Sequence, residues 1–218
     1  MSSRRVHEEE AVSSGHPLRP SVIRAGEWFK ERDQAAWQQI KKQALLRDLY
    51  TCAYCLLTCQ KFMQVNHIGA EDDHRLENLE TVCAACHRVL HLGASALDGI
   101  LTVFECQPDL VDMAVIVRAT RALVSRNVPW PQIEQQILAR FARPGGTCFT
   151  QQESVAWANR LLHMIQPPAF RAYLPAGYAV LFHEAGLWNE FPERIWLWQC
   201  LQSSRYRRRD ELPTDRGK

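Results

Sequence analysis

Two pairs of closely spaced cysteines are the clearest chemical feature of this 218-residue sequence. Cys52 and Cys55 form one CxxC pair in YTCAYC, and Cys83 and Cys86 form the second pair in CAAC. Four thiolates suit a tetrahedral Zn²⁺ ion, because each CxxC supplies two sulfur atoms from one tight turn. A pair of redox dithiols or unrelated core cysteines are the alternatives, and the knuckle-like sequence favours structural zinc.

A second set of residues able to do chemistry lies between and just after these pairs. The set consists of Asn66 and His67 in VNHI, Asn78 in RLENLETV, and His87, which follows the last cysteine. The order and type of these residues, from RDLYTCAYC to VCAACHRVLH, resemble the HNH nuclease family with its ββα-metal core. The resemblance covers residues 47–91.

The HNH resemblance implies a role for each of these residues. His67 stands in the place of the general base that removes a proton from water, which suits an imidazole near its ordinary pKa. Asn66 and His87 stand in the places of ligands to a catalytic Mg²⁺, which would stabilise charge on the scissile phosphate. Asn78 matches the asparagine that ties the loop to the strand pair and so aims His67. His91 would serve as a second helical ligand.

Two features speak against catalysis. Many HNH nucleases carry Asp or His at the place of Asn66, and a neutral amide oxygen binds Mg²⁺ less well than a carboxylate. The loop GAEDDH beside the site is acidic and repels phosphate, while the basic runs lie at 41–42 and 205–209. His74 in this loop is interpreted as solvated. The local motif taken alone favours a metal-dependent HNH endonuclease acting on DNA, and these two features lower that interpretation relative to a non-catalytic zinc module.

A wider resemblance covers most of residues 28–209. Four stretches carry it: the Trp-bearing lead into RDLYTCAYC, the loop VNHIGAEDDHRLENL, the segment GILTVFECQPDLVDMAVIVRATRAL and the late segment FHEAGLWNEFPERIWLWQCL. Together they are similar to the IcmJ (DotN) proteins of type IVB secretion and conjugation systems. This resemblance implies an accessory subunit that binds the tail of a coupling ATPase and other secretion-complex subunits. In that family the zinc module is structural and the catalytic His is generally lost, whereas this chain retains His67 and His87.

Composition and hydropathy indicate where such a protein works. Hydrophobic residues make up 46% and charged residues 23% of the chain, and the net charge of +2 gives no general argument for nucleic acid or membrane. No apolar run is long enough to cross a membrane, and the N-terminus lacks the apolar core of a secretory signal. We expect a cytoplasmic protein, held at the inner face of the membrane through a partner. Cys106 and Cys200 are interpreted as small core residues.

The elements that must position the candidate residues can be predicted from periodicity and breakers. Trp37, Ile40 and Ala44 recur at helical spacing and predict an amphipathic helix that leads into the first cysteine pair. Residues 62–68 predict a strand, and CAACHRVLHL predicts a helix with its two histidines on one face. The later predictions are a linker at Gly93–Gly99, a strand at 100–105, a helix within 109–126, and helices near 131–142, 151–165, 177–188 and 192–204.

These elements predict an α+β fold, in which an HNH-like zinc module, made of a short β-hairpin plus helices, packs on a mostly helical C-terminal region. The predicted divisions are a disordered arm at 1–20, the zinc module at 28–93, the helical region at 99–204 and a basic polar tail at 205–218. Aromatic residues are frequent in the late part of the chain, and some of them are expected to anchor a partner.

Overall fold

A computed structural model describes residues 17–24, 34–110, 112–183 and 198–199. Within these ranges the fold is a mixture of helices and small antiparallel sheets. The helices are α1 (Gln34–Arg47), α2 (Ala84–Leu90), α3 (Leu92–Leu97), α4 (Ala114–Val124), α5 (Trp130–Phe141) and α6 (Gln151–Met164). The strands are β1 (Ser21–Ile23), β2 (Gln64–His67), β3 (Leu79–Val82), β4 (Leu101–Glu105), β5 (Arg171–Tyr173) and β6 (Tyr178–Phe182), paired as β1–β5, β2–β3 and β4–β6.

The hairpin of β2 and β3 lies against α1. The apolar face predicted for α1 is confirmed, since Ala44 is fully buried with Val65 and Leu79, and Trp37 and Ile40 pack around them. A loop and a short 3-10 helix join the two strands, and α2 begins directly after β3. The predicted strand, loop and helix of this part of the chain are therefore confirmed.

The linker predicted at Gly93–Gly99 is wrong, because this segment contains α3. Gly93 was predicted to begin the linker, but it lies in α3, where a Cβ atom would be in ordinary van der Waals contact with the Ala158 Cβ of α6 at 3.8 Å. The buried Ser95 hydroxyl donates to the Arg88 carbonyl at 2.9 Å and ties α3 to α2. Gly99 has a φ of 66°, which suits the end of a helix.

The helix predicted at 177–188 is also wrong within the described residues, where Tyr178–Phe182 forms β6. The sequence YAVLF is rich in aromatic and apolar residues and pairs antiparallel with β4, Leu101 lying opposite Phe182. Pairing with a distant strand therefore decides the conformation of this segment. Residues 184–188 and most of the helix predicted at 192–204 lie outside the described residues.

The remaining helices of the C-terminal half agree with prediction. α5 and α6 occupy the ranges predicted from Ile133, Ile137 and the later apolar positions, and α4 begins at Ala114. Asp112 holds the start of α4, because its carboxylate accepts a hydrogen bond from the Ala114 amide at 2.8 Å. A capping box between Thr150 and Glu153 fixes the start of α6.

The N-terminal residues that are described lie inside the fold. The disordered arm was predicted for residues 1–20, yet Leu18 is fully buried and its amide donates to Asp112 at 3.0 Å. β1 follows and pairs with β5, two strands that were not predicted. One hydrophobic core contains residues from both sides of the predicted domain boundary, for example Val82 with Ile116. The division into two domains stays a prediction.

Candidate metal centre

The four cysteines of the two CxxC pairs come together in the fold. Their Sγ atoms all lie within 4.8 Å of one another, and all four side chains are buried. In the first knuckle the Leu56 amide donates to the Cys52 carbonyl at 3.1 Å, and the Cys52 amide donates to the Leu57 carbonyl at 2.9 Å. The second pair lies at the start of α2, where Cys83 is the N-cap residue. Two backbone turns therefore present four sulfur atoms to one point.

The donor set fits a zinc ion. With Zn–S bonds of about 2.3 Å, tetrahedral coordination places neighbouring sulfur atoms about 3.8 Å apart. The Sγ atoms of Cys55 and Cys83 are 3.6 Å apart, close to that value. Among the described residues, this is the one group of three or more His, Cys, Asp or Glu ligand atoms close enough to share a metal ion. The cluster could therefore hold a metal ion such as zinc, as the cysteine spacing predicted.

The electrostatics of the cluster favour a cation. Hydrogen bonds from the neighbouring cysteines lower the pKa of Cys55 well below its ordinary value. Hydrogen bonds that the Cys83 thiol donates to Cys52 and Cys55 raise the pKa of Cys83, and burial together with the neighbouring cysteines raises the pKa of Cys86. The neighbouring cysteines thus favour the thiolate at Cys55 and the protonated thiol at Cys83 and Cys86. A divalent cation removes this conflict, because it stabilises all four thiolates together.

Arg121 connects the cluster to the C-terminal half of the chain. This residue belongs to α4, and its guanidinium donates to the Cys55 Sγ at 3.5 Å. A tetrathiolate zinc site carries a net negative charge, which a nearby guanidinium stabilises. No sequence signal pointed to Arg121, because it lies in the last turn of an amphipathic helix, far along the chain from both cysteine pairs.

His67, the residue matched to a general base, is enclosed at the end of β2. Only 7% of its surface is exposed. Its ring stacks on Trp37 with ring centroids 5.5 Å apart, and its Nε2 lies 3.1 Å from the Nδ1 of His74. His74 is therefore a direct partner of His67, and its interpretation as a solvated loop residue is wrong.

Asn66 belongs to a buried polar network at the middle of the hairpin. Its Nδ2 donates to the Glu80 carboxylate at 2.7 Å, and the Tyr54 hydroxyl donates to the same oxygen at 2.8 Å. Burial, with Glu80 beside the hydroxyl, raises the pKa of Tyr54 well above its ordinary value, so the hydroxyl keeps its proton. Among the described residues, the buried Oδ1 of Asn66 has no hydrogen-bond partner.

His87 and His91 form a ring pair on the helical side of the site. Their ring centroids are 4.5 Å apart. Burial lowers the pKa of His87 well below its ordinary value, and burial lowers the pKa of His91 to about 4, with nearby cationic groups adding to the effect in each case. Both imidazoles are neutral at neutral pH, the form in which histidine binds metals.

Asn78 holds the loop that follows β2. Its Oδ1 accepts a hydrogen bond from the Gly69 amide at 2.8 Å, and its Nδ2 donates to the Ala70 and Asp73 carbonyls at 2.7 Å. These bonds close the loop around His74 and so keep His74 against His67. The positions of Asn66, His67, Asn78 and His87 are described by the structure, while their catalytic roles stay predictions.

In comparisons with known proteins, no protein-family model matches the chain and no curated protein matches it. Within the described ranges, the helices are all too short or too polar to traverse a lipid bilayer.

Proposed function

We propose that the protein is a zinc-stabilised scaffold subunit of the IcmJ (DotN) kind, which binds a coupling ATPase in a type IV secretion or conjugation system. The observation that carries this proposal is the position of the four-cysteine cluster in the main hydrophobic core, where Arg121 of α4 reaches Cys55. A metal at this point stabilises contacts between the two halves of the chain. The site is thus suited to maintaining a binding surface rather than to reaching a substrate.

The surroundings of His67 support a scaffold over a nuclease. A general base must reach the proton of a water molecule that attacks the phosphate. The Nε2 of His67 is instead hydrogen bonded to His74, and one ring face lies on Trp37. The loop beside this cluster carries Asp72, whose carboxylate repels a phosphate backbone, while the carboxylate of Asp73 is paired with the Arg75 guanidinium at 2.7 Å.

An HNH endonuclease is the second candidate, and two observations favour it. The Oδ1 of Asn66 is a buried acceptor without a partner among the described residues, as expected of an atom that awaits a metal. His87 and His91 are close together, and their lowered pKa values keep them neutral. If Asn66 and His87 hold Mg²⁺, the ion would supply Lewis-acid stabilisation of the phosphate, and His67 would accept the proton after His74 has moved.

A capture experiment and a nicking assay separate the two candidates. The zinc-loaded, tagged protein is used as bait in lysate from its native cells, and the captured proteins are identified by mass spectrometry. The scaffold proposal expects a coupling ATPase of the secretion or conjugation apparatus. Hydrogen exchange with a peptide from that ATPase tail should then show protection both in residues 34–93 and in residues 99–183.

The nicking assay uses supercoiled plasmid with Mg²⁺ or Mn²⁺. His67→Ala is compared with His163→Ala, which removes an exposed histidine on α6. The scaffold proposal expects no cleavage above background by any of the three proteins. Cleavage by the wild type and by His163→Ala, together with its loss in His67→Ala, would establish the endonuclease and refute the scaffold reading. Capture of no coupling ATPase would also count against the scaffold.

A further inference from the structure

A chain of hydrogen-bonding side chains lies at one end of the β4–β6 sheet, outside the metal centre. The Nδ1 of His183 lies 2.9 Å from a carboxylate oxygen of Glu134 on α5. The Nε2 of the same ring lies 3.0 Å from the Oγ1 of Thr102 on β4. A base within reach of a hydroxyl, and itself oriented by a carboxylate, is the arrangement that activates nucleophiles in proteins.

Cys148 is the exposed end of this chain. It lies beside β4, where it forms a bridge with Phe104, and the Phe149 amide donates to the Val103 carbonyl at 2.9 Å. The Cys148 Sγ is 3.9 Å from the Thr102 Oγ1, within the range of a hydrogen bond to sulfur. The other cysteines among the described residues are all buried, so Cys148 is the described thiol that solvent can reach.

The directions of these hydrogen bonds agree with one another. An ionised Glu134 only accepts hydrogen bonds, so it fixes the proton of His183 on Nδ1. The Nε2 lone pair then accepts from the Thr102 hydroxyl. The hydroxyl oxygen is in turn free to accept from the Cys148 S–H group. The buried Thr102, which is 6% exposed, thus connects a surface thiol to a histidine that is oriented by a carboxylate.

We propose that Cys148 is a site of thiol–disulfide exchange with low-molecular-weight disulfides, activated through Thr102 and His183. The Cys148 S–H bond breaks and its proton passes to the Thr102 Oγ1, while the hydroxyl proton passes to the Nε2 of His183. The sulfur then attacks one sulfur of the disulfide, forms a mixed disulfide and breaks the original S–S bond. The departing thiolate takes the proton from His183 and leaves as a thiol, so the small disulfide is the oxidant and no other reactant is required.

In this arrangement Thr102 and His183 transfer the proton, and Glu134 is a positioning residue. Glu134 and His183 are partly exposed, with 31% and 28% of their side-chain surfaces accessible, so the relay is open to exchange with water. The site does not involve the four-cysteine cluster, and its activity does not depend on the function proposed above.

The test measures how fast glutathione disulfide modifies Cys148 in the full-length, zinc-loaded protein. Time points are quenched with acid, and the modified Cys148 peptide is quantified by mass spectrometry. Thr102→Val removes the hydroxyl and keeps the shape of the side chain, whereas Thr102→Ser keeps the hydroxyl. We expect Thr102→Val and His183→Gln to slow modification by about tenfold or more, since general-base assistance typically contributes at least that much.

Two controls distinguish a relay from simple packing. Thr102→Ser should retain most of the rate, and His163→Gln, which changes an exposed histidine on α6, should react like the wild type. Circular dichroism and zinc content establish that each variant is folded. If Thr102→Val does not fold, Glu134→Gln provides the second variant and should also slow the reaction. Equal rates in the wild type and the folded relay variants, or equal slowing in Thr102→Ser and Thr102→Val, would overturn the proposal.

Discussion

Loss of zinc should affect the largest part of the structure, and Cys83→Ser removes one zinc ligand with little other change to the fold. The Cys83 Sγ belongs to the cluster and also accepts a hydrogen bond from the Cys86 amide at 3.5 Å as the N-cap of α2. Serine is a preferred N-cap residue. The substitution therefore keeps the cap and removes the thiolate, so a loss of stability reports the metal site.

The expected loss in the free energy of unfolding can be calculated from the share of stability that a structural zinc ion supplies. Structural zinc contributes roughly 10–16 kcal/mol of apparent binding free energy at neutral pH, or about 3 kcal/mol for each of four thiolates. Folded domains are stable by roughly 5–15 kcal/mol in total. We therefore expect Cys83→Ser to lower the free energy of unfolding by at least about 3 kcal/mol, and to abolish stoichiometric zinc binding.

Cys106→Ser is the matched control, because Cys106 is equally buried and lies outside the cluster. Placing a hydroxyl there should cost about 1–3 kcal/mol and leave the zinc content unchanged. Urea unfolding is followed with and without a chelator, and zinc is measured by elemental analysis. Freshly purified, folded wild type without zinc would refute the reasoning. Equal zinc content and equal urea midpoints for Cys83→Ser and Cys106→Ser would refute it as well.

Three further substitutions test single features of the fold. Asn78→Ala removes three hydrogen bonds to the loop backbone. At about 1 kcal/mol for each bond, the free energy of unfolding should fall by about 3 kcal/mol. An unchanged rate of hydrogen exchange at the Gly69 amide would contradict this prediction. Burial raises the pKa of Asp48, but hydrogen bonds from a guanidinium and from β3 outweigh it and bring that pKa below its ordinary value. The Asp48 carboxylate therefore stabilises the protein at neutral pH, and this contribution is lost as the pH falls through the range in which carboxyl groups titrate. Asp48→Ala should lower the free energy of unfolding by about 1–3 kcal/mol near pH 7 and by less in acid, as measured by urea titration. Leu49 is 75% exposed and has a φ of 50°. Leu49→Gly should raise the urea midpoint, because it relieves about 1 kcal/mol of backbone strain, whereas the control Leu46→Gly within α1 should lower that midpoint. A lower midpoint in both variants would show that the left-handed conformation of Leu49 is not strained.

The elements predicted correctly are those whose own residues carry the signal. In α1 the spacing of Trp37, Ile40 and Ala44 is sufficient, because any helix with this pattern buries one face. The four cysteines are likewise recognisable before the fold is known, since each CxxC forms its turn locally. The four-cysteine cluster, which could hold a metal ion, could therefore be predicted from the sequence.

The predictions that failed concern segments whose conformation depends on distant partners. Tyr178–Phe182 forms a strand paired with β4, and its short run with Tyr, Val and Phe is a strand signal that the helix predicted at 177–188 did not take into account. Gly93 lies within α3, which packs against α6, and the glycine alone does not show that this distant helix is its partner. His74 contacts His67 because Asn78 closes the loop between them, and the spacing of histidines in the sequence does not show this.

The pairing of β1 with β5 has a consequence for synthesis of the protein on the ribosome. Ser21 pairs with Tyr173, and the guanidinium of Arg171, 150 positions after Ser21, donates to the Ser21 hydroxyl. At about 5–20 residues per second, roughly 8–30 s separate the emergence of the two strands. The segment containing both cysteine pairs is complete well before the end of this interval, whereas the β1 edge must wait for its partner. The nascent chain can therefore bring its four cysteines together before β1 pairs with β5.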